Sequence, residues 1–380
     1  AALSKLNAKQ AAYNRYRGKV DNLKDINSKA QIVGAQALAA GATITAPLVG
    51  SVRDFMSFED AMLGVVRQVD GLKDKAGNLT PEFEQWKLKI QDLSKELPLT
   101  TVQIANMIES AARMNVAKDE LEDFVRLNTQ MAVAFDAANP DELVEQYGKV
   151  TNNFHLSAKA SRELADAINY LDDNAISKGT EIIGFMNRVS GIAGIAKISE
   201  KNMAALGSTL QTAGAAEEQS ATAVNAIFTR LSQASKKKPV KNGLAALGLR
   251  PSAVELGMAK DAQGTLEKIV DAINRLPEPK RLGTIADLVG TEHAKTLSLL
   301  VAKTDDWRRQ IKLANSEEAK GSMGREFETR MKALSSHWGI FKNRLFNLNS
   351  VIGGTLAPTL ERLMDKIGGV IDRIKNWIIE

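Results

Sequence analysis

The sequence of 380 residues predicts an all-α, multi-helix protein with coiled-coil-like helices at both ends and no sheet. Apolar residues recur at helical spacing along almost the whole chain, and no convincing alternating strand of useful length is present. Residues 181–189 could be mistaken for a strand, but their neighbours are helical and they lack a hairpin partner. Aromatic residues are only 5% of the chain, which is common in alanine-rich helical proteins.

The composition is that of an ordinary globular protein, 44% hydrophobic and 25% charged. The formal net charge is +5, and charges of both signs are spread along most of the chain. A specific nucleic-acid partner is therefore not indicated. The absence of cysteine excludes disulfides and thiolate metal sites and leaves the compartment open.

Residues 1–30 carry a heptad pattern. Leu6, Tyr13 and Val20 fall seven residues apart, and Tyr16 and Leu23 lie on the same stripe. Apolar spacing of 3.5 residues is typical of a coiled-coil seam between copies of a helix. The alternative is one amphipathic helix packed on a neighbour.

Residues 31–57 form a small-residue segment, and residues 30–52 carry no charge. This length is sufficient for a helix that crosses a bilayer. Alanine, glycine, serine and threonine predominate, however, so the segment is weak as an autonomous span. Small residues recur at four-residue spacing, for example Ala30 with Gly34 and Ala37 with Gly41, which lets helix backbones approach closely. We expect a tightly packed helix, with insertion as an oligomer as the alternative.

The middle of the chain divides into a helical core (58–235), a smaller helical unit after a basic loop (236–301) and a connecting helix (302–335). Capping residue types mark helix starts at Thr80, Thr100, Ser157, Ser199 and Thr265. Glycine and proline mark breaks at 71–78, 97–98, 139–140, 243, 248–251 and 277–279.

Two segments, which begin at Thr100 and Ser199, resemble each other at an offset of 99 residues. Both have a capping residue, a helix, and then Asn115 or Gly214, residue types that tolerate a left-handed backbone at a helix C-terminus. Two helical hairpins of one type would explain the similarity. Chance similarity between alanine-rich helices is the alternative.

The densest basic run spans residues 236–243. It lacks interleaved aromatic residues and lies beside proline and glycine, so we interpret it as a solvated loop. Contact with nucleic acid or anionic lipid is the alternative.

Residues 336–380 are predicted as an amphipathic helix, a glycine hinge and a terminal coiled-coil helix. An apolar stripe on the first helix predicts contact with partner helices or with a membrane surface, through Trp338, Phe341, Leu345, Leu348 and Ile352. Gly353 and Gly354 permit a bend, and Pro358 is placed to open the next helix. The terminal helix repeats at seven residues through Leu360, Ile367 and Ile374, which predicts a second oligomer seam.

Candidate catalytic residues are not evident. His155, His293 and His337 lie far apart, and no zinc, nucleophile-elbow, phosphate-loop or dinucleotide motif occurs. Carboxylates are abundant, and nothing singles out the acid–nucleophile pair of a glycosidase. We expect no catalytic, cofactor-binding or metal site.

The chain starts without methionine or a signal-peptide pattern and ends within a helical pattern, so we expect a segment of a longer polypeptide.

Several segments together resemble the tape measure proteins of tailed phages, especially contractile-tail temperate phages and related bacteriocin particles. The resemblance begins at APLVGSVRDFMSFEDAMLGVVRQ, where Phe58, Glu59, Ala61, Met62 and Val65 match the family pattern. It continues through KVTNNFHLSAKASRELADAINYLDDNA and MAALGSTLQTAGAAEEQSATAVNAIFTRL and ends at WGIFKNRLFNLNSVIGGTLAPTLERL. Each piece is weak alone, but the series covers nearly the whole chain in order.

This resemblance implies a structural role as a ruler in the lumen of the tail tube. Copies extend along the lumen during assembly in the host cytoplasm, and they leave ahead of DNA into the host envelope. Implied partners are further copies of the chain (a trimer is favoured), tail-tube and baseplate or tail-tip proteins, tail assembly chaperones, and an inner-membrane or envelope component of the host. The alternative function is a membrane-active helical protein that acts by insertion or pore formation.

Overall fold

Helices make up nearly all regular structure in the computed structural model, which describes residues 51–193 and 197–379. Within these ranges there is no β-sheet, although an isolated antiparallel bridge pairs Lys73 with Leu79. The predicted all-α fold is confirmed, and the strand-like residues 181–189 lie inside a helix. The predicted N-terminal coiled coil, with Leu6, Tyr13 and Val20, and most of the uncharged segment lie outside the described residues.

The helices are numbered in chain order. They are α1 (described over 51–68), α2 (Pro81–Glu96), α3 (Thr101–Arg113), α4 (Leu121–Ala134), α5 (Pro140–Asn153), α6 (Ala158–Asn174), α7 (Gly179–Ala193), α8 (Glu200–Thr212), α9 (Glu217–Leu231), α10 (Lys238–Ala246), α11 (Pro251–Lys260), α12 (Ala262–Asn274), α13 (Glu278–Val289), α14 (Ala294–Ala302), α15 (Thr304–Ala314), α16 (Ser322–Met331) and α17 (Leu334–Ile379). A short 3-10 helix, Ala234–Lys236, precedes α10.

Four of the five helix starts predicted from capping residues are confirmed, since helices begin directly after Thr80, Thr100, Ser157 and Ser199. The side chains of Thr100, Ser157 and Ser199 each accept a hydrogen bond from the backbone N–H three residues further on. These bonds satisfy donors that the first helical turn leaves without an intrahelical partner. The predicted start at Thr265 is wrong, because the capping residue of α12 is Asp261, four residues earlier, whose carboxylate accepts from the Gly264 N–H.

Many helices are followed by a residue in the left-handed backbone conformation, such as Asn115 (φ 61°), His155 (φ 53°) and Gly214 (φ 84°). At these ends the next residue donates its N–H to the carbonyl five residues back, in the pairs Val116–Ala111, Ala137–Ala132, Leu156–Thr151, Ala215–Leu210 and Leu249–Leu244. This closing turn satisfies terminal carbonyls and turns an apolar residue back over the helix end. The following helix can then begin within a few residues.

The two segments that resemble each other in sequence also agree in local structure. Helices α3 and α8 each have 13 residues and begin after the side-chain caps Thr100 and Ser199. Each ends just before a left-handed residue, Asn115 or Gly214. The next helix packs against each of them, α4 against α3 and α9 against α8. Two helix pairs of one type are therefore present.

The described residues fall into two compact units, one of residues 61–343 and one of residues 51–60 with 344–379. The first unit has a cluster of buried apolar side chains that extends from α4 to α16 and includes the fully buried Trp307. The finer division at residues 235, 301 and 335 stays a prediction.

The stretch predicted as one connecting helix contains two, α15 and α16. Gly321 (φ 72°) separates α16 from the chain before it, and the buried Asp166 carboxylate of α6 accepts from the Gly321 N–H at 2.8 Å and the Met323 N–H at 3.2 Å. The Ser322 hydroxyl donates to the Asp166 carbonyl. A side chain distant in sequence thus fixes the start of α16.

The basic run at 236–243 is not a loop. It forms the 3-10 helix and the first turns of α10, with Pro239 in the first turn, where its missing N–H leaves no intrahelical bond unmade. Gly243 lies inside α10 rather than at a break. A Cβ at this position would lie 3.0 Å from the Leu288 side chain of α13, so glycine permits the two helices to pack closely. Lys236, Lys238 and Lys241 are exposed.

The hinge predicted at Gly353 and Gly354 is also wrong. Helix α17 continues through both glycines and through Pro358, which lies inside the helix instead of opening it. A Cβ at Gly353 would collide with the carbonyl oxygen of Ser51 in α1 and lie 2.7 Å from Phe55 Cβ. Gly353 therefore serves close approach of two helices, and this packing stabilises the helical backbone where a bend was expected.

Candidate functional site

The outer face of α17 carries a row of large apolar side chains that the protein leaves accessible. Trp338 is 57% exposed and Leu348 is 56% exposed, and Phe341, Leu345 and Ile352 are 46%, 45% and 38% exposed. The Trp338 and Phe341 rings stack on each other with centroids 5.3 Å apart. The predicted stripe thus lies on one exposed helix face, although its role stays a prediction. We call Trp338, Phe341, Leu345, Leu348 and Ile352 the α17 stripe.

The opposite face of α17 is polar and buried. Asn343, Asn347 and Ser350 are only 4%, 6% and 2% exposed. This reverses the usual arrangement of a helix on a protein surface, which turns its apolar side to the core. Exposed apolar residues grouped in this way typically mark an interaction site.

Asn343 explains part of this reversal. Its side-chain NH₂ donates to the carbonyls of Ser94 at 2.9 Å, Leu99 at 2.6 Å and Leu97 at 3.3 Å. The residue four positions after Ser94 is Pro98, which has no N–H to continue the hydrogen bonds of the helix. The Asn343 side chain therefore supplies a donor at the C-terminus of α2 that the backbone lacks.

In the unit that contains residues 344–379, α17 packs against α1. The Asn349 side chain donates to the Asp54 carboxylate at 2.9 Å, and the Phe58 and Phe346 rings meet edge to face with centroids 6.5 Å apart. Both contacts use positions beside the α17 stripe and leave the stripe free. The side chains of Leu360, Ile367 and Ile374 lie outside what the structure describes, although the helix extends through these positions.

Groups that could carry chemistry are dispersed. His155 lies in the connection between α5 and α6, His293 precedes α14, and His337 is on α17. Among the described residues no three histidine, aspartate or glutamate side chains are grouped as metal ligands. A groove of about 490 Å³ between the α3–α4 and α5–α6 connections is lined partly by Tyr147. Burial raises the pKa of Tyr147, whose hydroxyl donates to the Ser161 carbonyl, a structural contact.

Asp172 and Asp173, two neighbouring carboxylates with raised pKa, also have structural roles. Burial raises the pKa of Asp172, and the neighbouring charge of Asp173 raises it further, while a hydrogen bond from the Gly179 N–H lowers it. Burial and then the charge of Glu326 raise the pKa of Asp173. These groups bind backbone or border α16, and their arrangement does not indicate an acid–nucleophile pair.

Replacing Asp172 by asparagine is expected to stabilise the protein slightly at pH 7. The folded-state pKa of Asp172 is raised, so stability is highest below the unfolded pKa of about 3.9 and falls as pH rises through the folded pKa. The asparagine side chain would keep the acceptor for the Gly179 N–H without the charge. We expect a gain below about 1 kcal/mol at pH 7 that vanishes near pH 3, measured by urea unfolding at both values. A larger gain at pH 3 would contradict this assignment.

Comparison with known proteins identifies the family of the chain. A sequence model of the family described as "Phage-related minor tail protein" matches residues 87–290, more than half of the chain. The chain belongs to this phage tail protein family. The matched region begins in α2 and ends just after α13.

A relative of this minor tail protein is the "Probable tape measure protein" of Halomonas phage phiHAP-1. The two are 24% identical over 264 residues, which cover 68% of this chain and 30% of the relative. The aligned part thus spans less than a third of the relative. No solved structure matches the chain.

In the described part of the tail protein, no helix has both the length and the apolar character needed to cross a membrane. Almost all of the uncharged residues 30–52 lie outside this part. Sequence reasoning identified the stripe but did not find that Asn343 and Asn347, on the other face of the helix, are buried. The available signal was Leu97-Pro98, which leaves a helix-end carbonyl in need of a side-chain donor.

Proposed function

We propose that this chain is part of a tail tape measure, a structural protein without catalytic activity that sets the length of the tail tube during assembly. Membership of the minor tail protein family supports this proposal most directly. The relative described as a probable tape measure protein adds to it, because its similarity extends over two thirds of the chain. The helical architecture is suited to a ruler, since each residue of extended helix adds about 1.5 Å.

The described helices contribute little to such a length. Helices α2 to α16 have between 9 and 17 residues and are joined by short connections, and the apolar faces of α4 to α16 pack into a shared cluster. Folding back in this way increases packing but adds little axial length. We therefore propose that residues 61–343 form a compact body, while extended helix elsewhere in the protein measures the tube.

Partners follow from this role. Copies associate with one another through the terminal heptads, with a trimer favoured, and contact tail-tube and baseplate or tail-tip proteins. Tail assembly chaperones act earlier, in the host cytoplasm. On infection the protein leaves the tube lumen ahead of DNA and contacts the host inner membrane or an envelope protein. The role requires no cofactor and no specific nucleic acid.

Deletion of one helix pair distinguishes a compact body from extended tape. Removing residues 100–124 takes away α3 with the fully buried Ile104, Met107 and Ile108, so the body should fail to fold and tails should fail to assemble. Removing heptads outside this segment should shorten tails by about 1.5 Å per residue. Electron microscopy of particles from the encoding phage measures both results.

Intact tails, shortened in proportion by the 100–124 deletion, would mean that the body is itself extended tape. Tails of normal length after both deletions would overturn the ruler function. If the purified chain made liposomes leak while tail length stayed independent of chain length, the membrane-active alternative would replace the ruler.

A further inference from the structure

The spacing of the α17 stripe identifies the kind of partner that covers it. The five positions of the α17 stripe, from Trp338 to Ile352, alternate by three and four residues, as positions a and d of a heptad do, and the exposed Val351 falls at position g beside them. The buried Asn343 and Ser350 fall at position f, on the far side of the helix. A strict a and d stripe is the narrow seam of a coiled coil, whereas a helix that lies on a membrane presents a broader apolar face.

The same pattern continues along the sequence of α17. Two four-residue steps lead from Ile352 through Leu356 to Leu360, and alternation by three and four then resumes through Leu363, Ile367, Val370, Ile374 and Trp377. The extra step makes a local 11-residue repeat, which unwinds a left-handed supercoil without interrupting its seam. It coincides with Gly353, Gly354 and Pro358, where helix propensity is lowest.

We infer that the α17 stripe is covered by the α17 stripe of a second copy, in a parallel coiled coil that joins it to the terminal heptads in one continuous seam. In a parallel, in-register pair the irregular step lies at the same level on each helix. Lys342 then faces His337 of the second copy, and Arg344 faces Asn349, so no two permanent cations are brought together. This extends the self-association in the proposed function from the terminal heptads to residues 338–352.

The charge around the stripe is compatible with a helix of this chain as its partner only in a register that keeps like charges apart. There is no aspartate or glutamate between Glu328 and Glu361, so Lys342 and Arg344 beside the stripe have no acidic partner there, and the parallel register avoids setting them against each other. Asn343 contacts the end of α2 and Gly353 contacts α1, and both residues lie on a face of α17 that is turned away from the stripe. Association through the stripe therefore leaves the internal contacts of each copy in place.

Sedimentation of the purified chain tests the seam. The double substitution Leu345→Lys, Leu348→Lys places charges at one a and one d position and should weaken self-association at least about tenfold. Val351→Lys is the matched control, because Val351 is 58% exposed but lies outside the a and d positions, and it should change association by less than about threefold. Circular dichroism should show equal helicity in all three proteins, since the altered side chains are exposed.

Cross-linking tests the parallel register. The chain contains no cysteine, so Leu345→Cys introduces a single thiol per copy. In a parallel, in-register pair the two thiols meet at one a position and should form a disulfide on oxidation, whereas Val351→Cys should cross-link far less. Oligomers that form without the Leu345→Cys disulfide would overturn the parallel register.

The inference is overturned if the chain is a monomer at high concentration, or if Leu345→Lys, Leu348→Lys sediments as the unmodified protein does. If only Ile367→Lys, Ile374→Lys dissociates the oligomer, the contact is limited to the terminal heptads and the continuous seam is wrong. These measurements use the purified chain, whereas tail length is measured on particles. Failure of the seam is therefore distinguishable from failure of the ruler function.

Discussion

Replacing Asn343 by alanine is expected to lower the free energy of unfolding by about 2–4 kcal/mol. The substitution removes the donor shared by the Ser94, Leu97 and Leu99 carbonyls at the end of α2. Pro98 cannot replace this donor, because it has no N–H. The Asn343 NH₂ has two hydrogens for these three acceptors, so about two full hydrogen bonds are lost, and each buried carbonyl left without a partner incurs part of a desolvation penalty of about 1–3 kcal/mol.

The expected loss can be separated from a general effect of shortening a side chain on α17. Lys342 is the neighbouring residue and is exposed, so Lys342→Ala should change stability by less than about 0.5 kcal/mol. Asn343→Asp keeps the shape but removes the donor and places a carboxylate against carbonyl oxygens, so it should be at least as damaging as alanine. Urea unfolding followed by circular dichroism measures all three. Equal stability of Asn343→Ala and Lys342→Ala would show that the Asn343 hydrogen bonds are not stabilising.

Local signals in the sequence predicted much of the fold. Thr100, Ser157 and Ser199 could be recognised as caps because their partners are only three residues away. The left-handed ends at Asn115 and Gly214 have residue types that tolerate this backbone. The stripe of α17 was visible because its spacing belongs to a single helix.

Contacts between distant segments could not be predicted in this way. Asp166 caps α16 from 155 positions earlier in the chain, and Asn343 donates to a carbonyl 249 positions away. A polar residue on a helix usually faces solvent, so its residue type alone did not indicate that Asn343 is buried. The burial pattern that distinguishes the α17 stripe from an ordinary core stripe therefore required the structure.

Glycine presented a different ambiguity, since one residue type serves two opposite purposes. A Gly-Gly pair permits a bend, but it also permits another backbone to approach a helix closely. Gly353 serves the second purpose, and Gly243 likewise fits against Leu288 instead of ending a helix. Sequence alone could not distinguish the two, because the approaching residues belong to distant parts of the chain.

Replacing Gly353 by alanine is accordingly expected to destabilise the packing of α1 against α17 by about 1–3 kcal/mol, although alanine is the better helix former. The new Cβ would collide with the Ser51 carbonyl oxygen and lie 2.7 Å from Phe55 Cβ. Because one of these atoms is backbone, rotation of a side chain cannot relieve the contact, and α1 must move. A flexible hinge would give the opposite result, since alanine would stiffen the helix and stabilise it.

Gly339 is the matched control within the same helix. A Cβ at this position would lie 3.6 Å from the Pro98 carbonyl oxygen, which is ordinary van der Waals contact. Gly339→Ala should therefore stabilise α17 by up to about 1 kcal/mol through helix propensity alone. Thermal unfolding gives the sign for each variant, and hydrogen exchange in residues 51–60 locates the loss to α1. A gain in stability for Gly353→Ala equal to that for Gly339→Ala would restore the hinge interpretation and remove the close approach of α1 as the reason for this glycine.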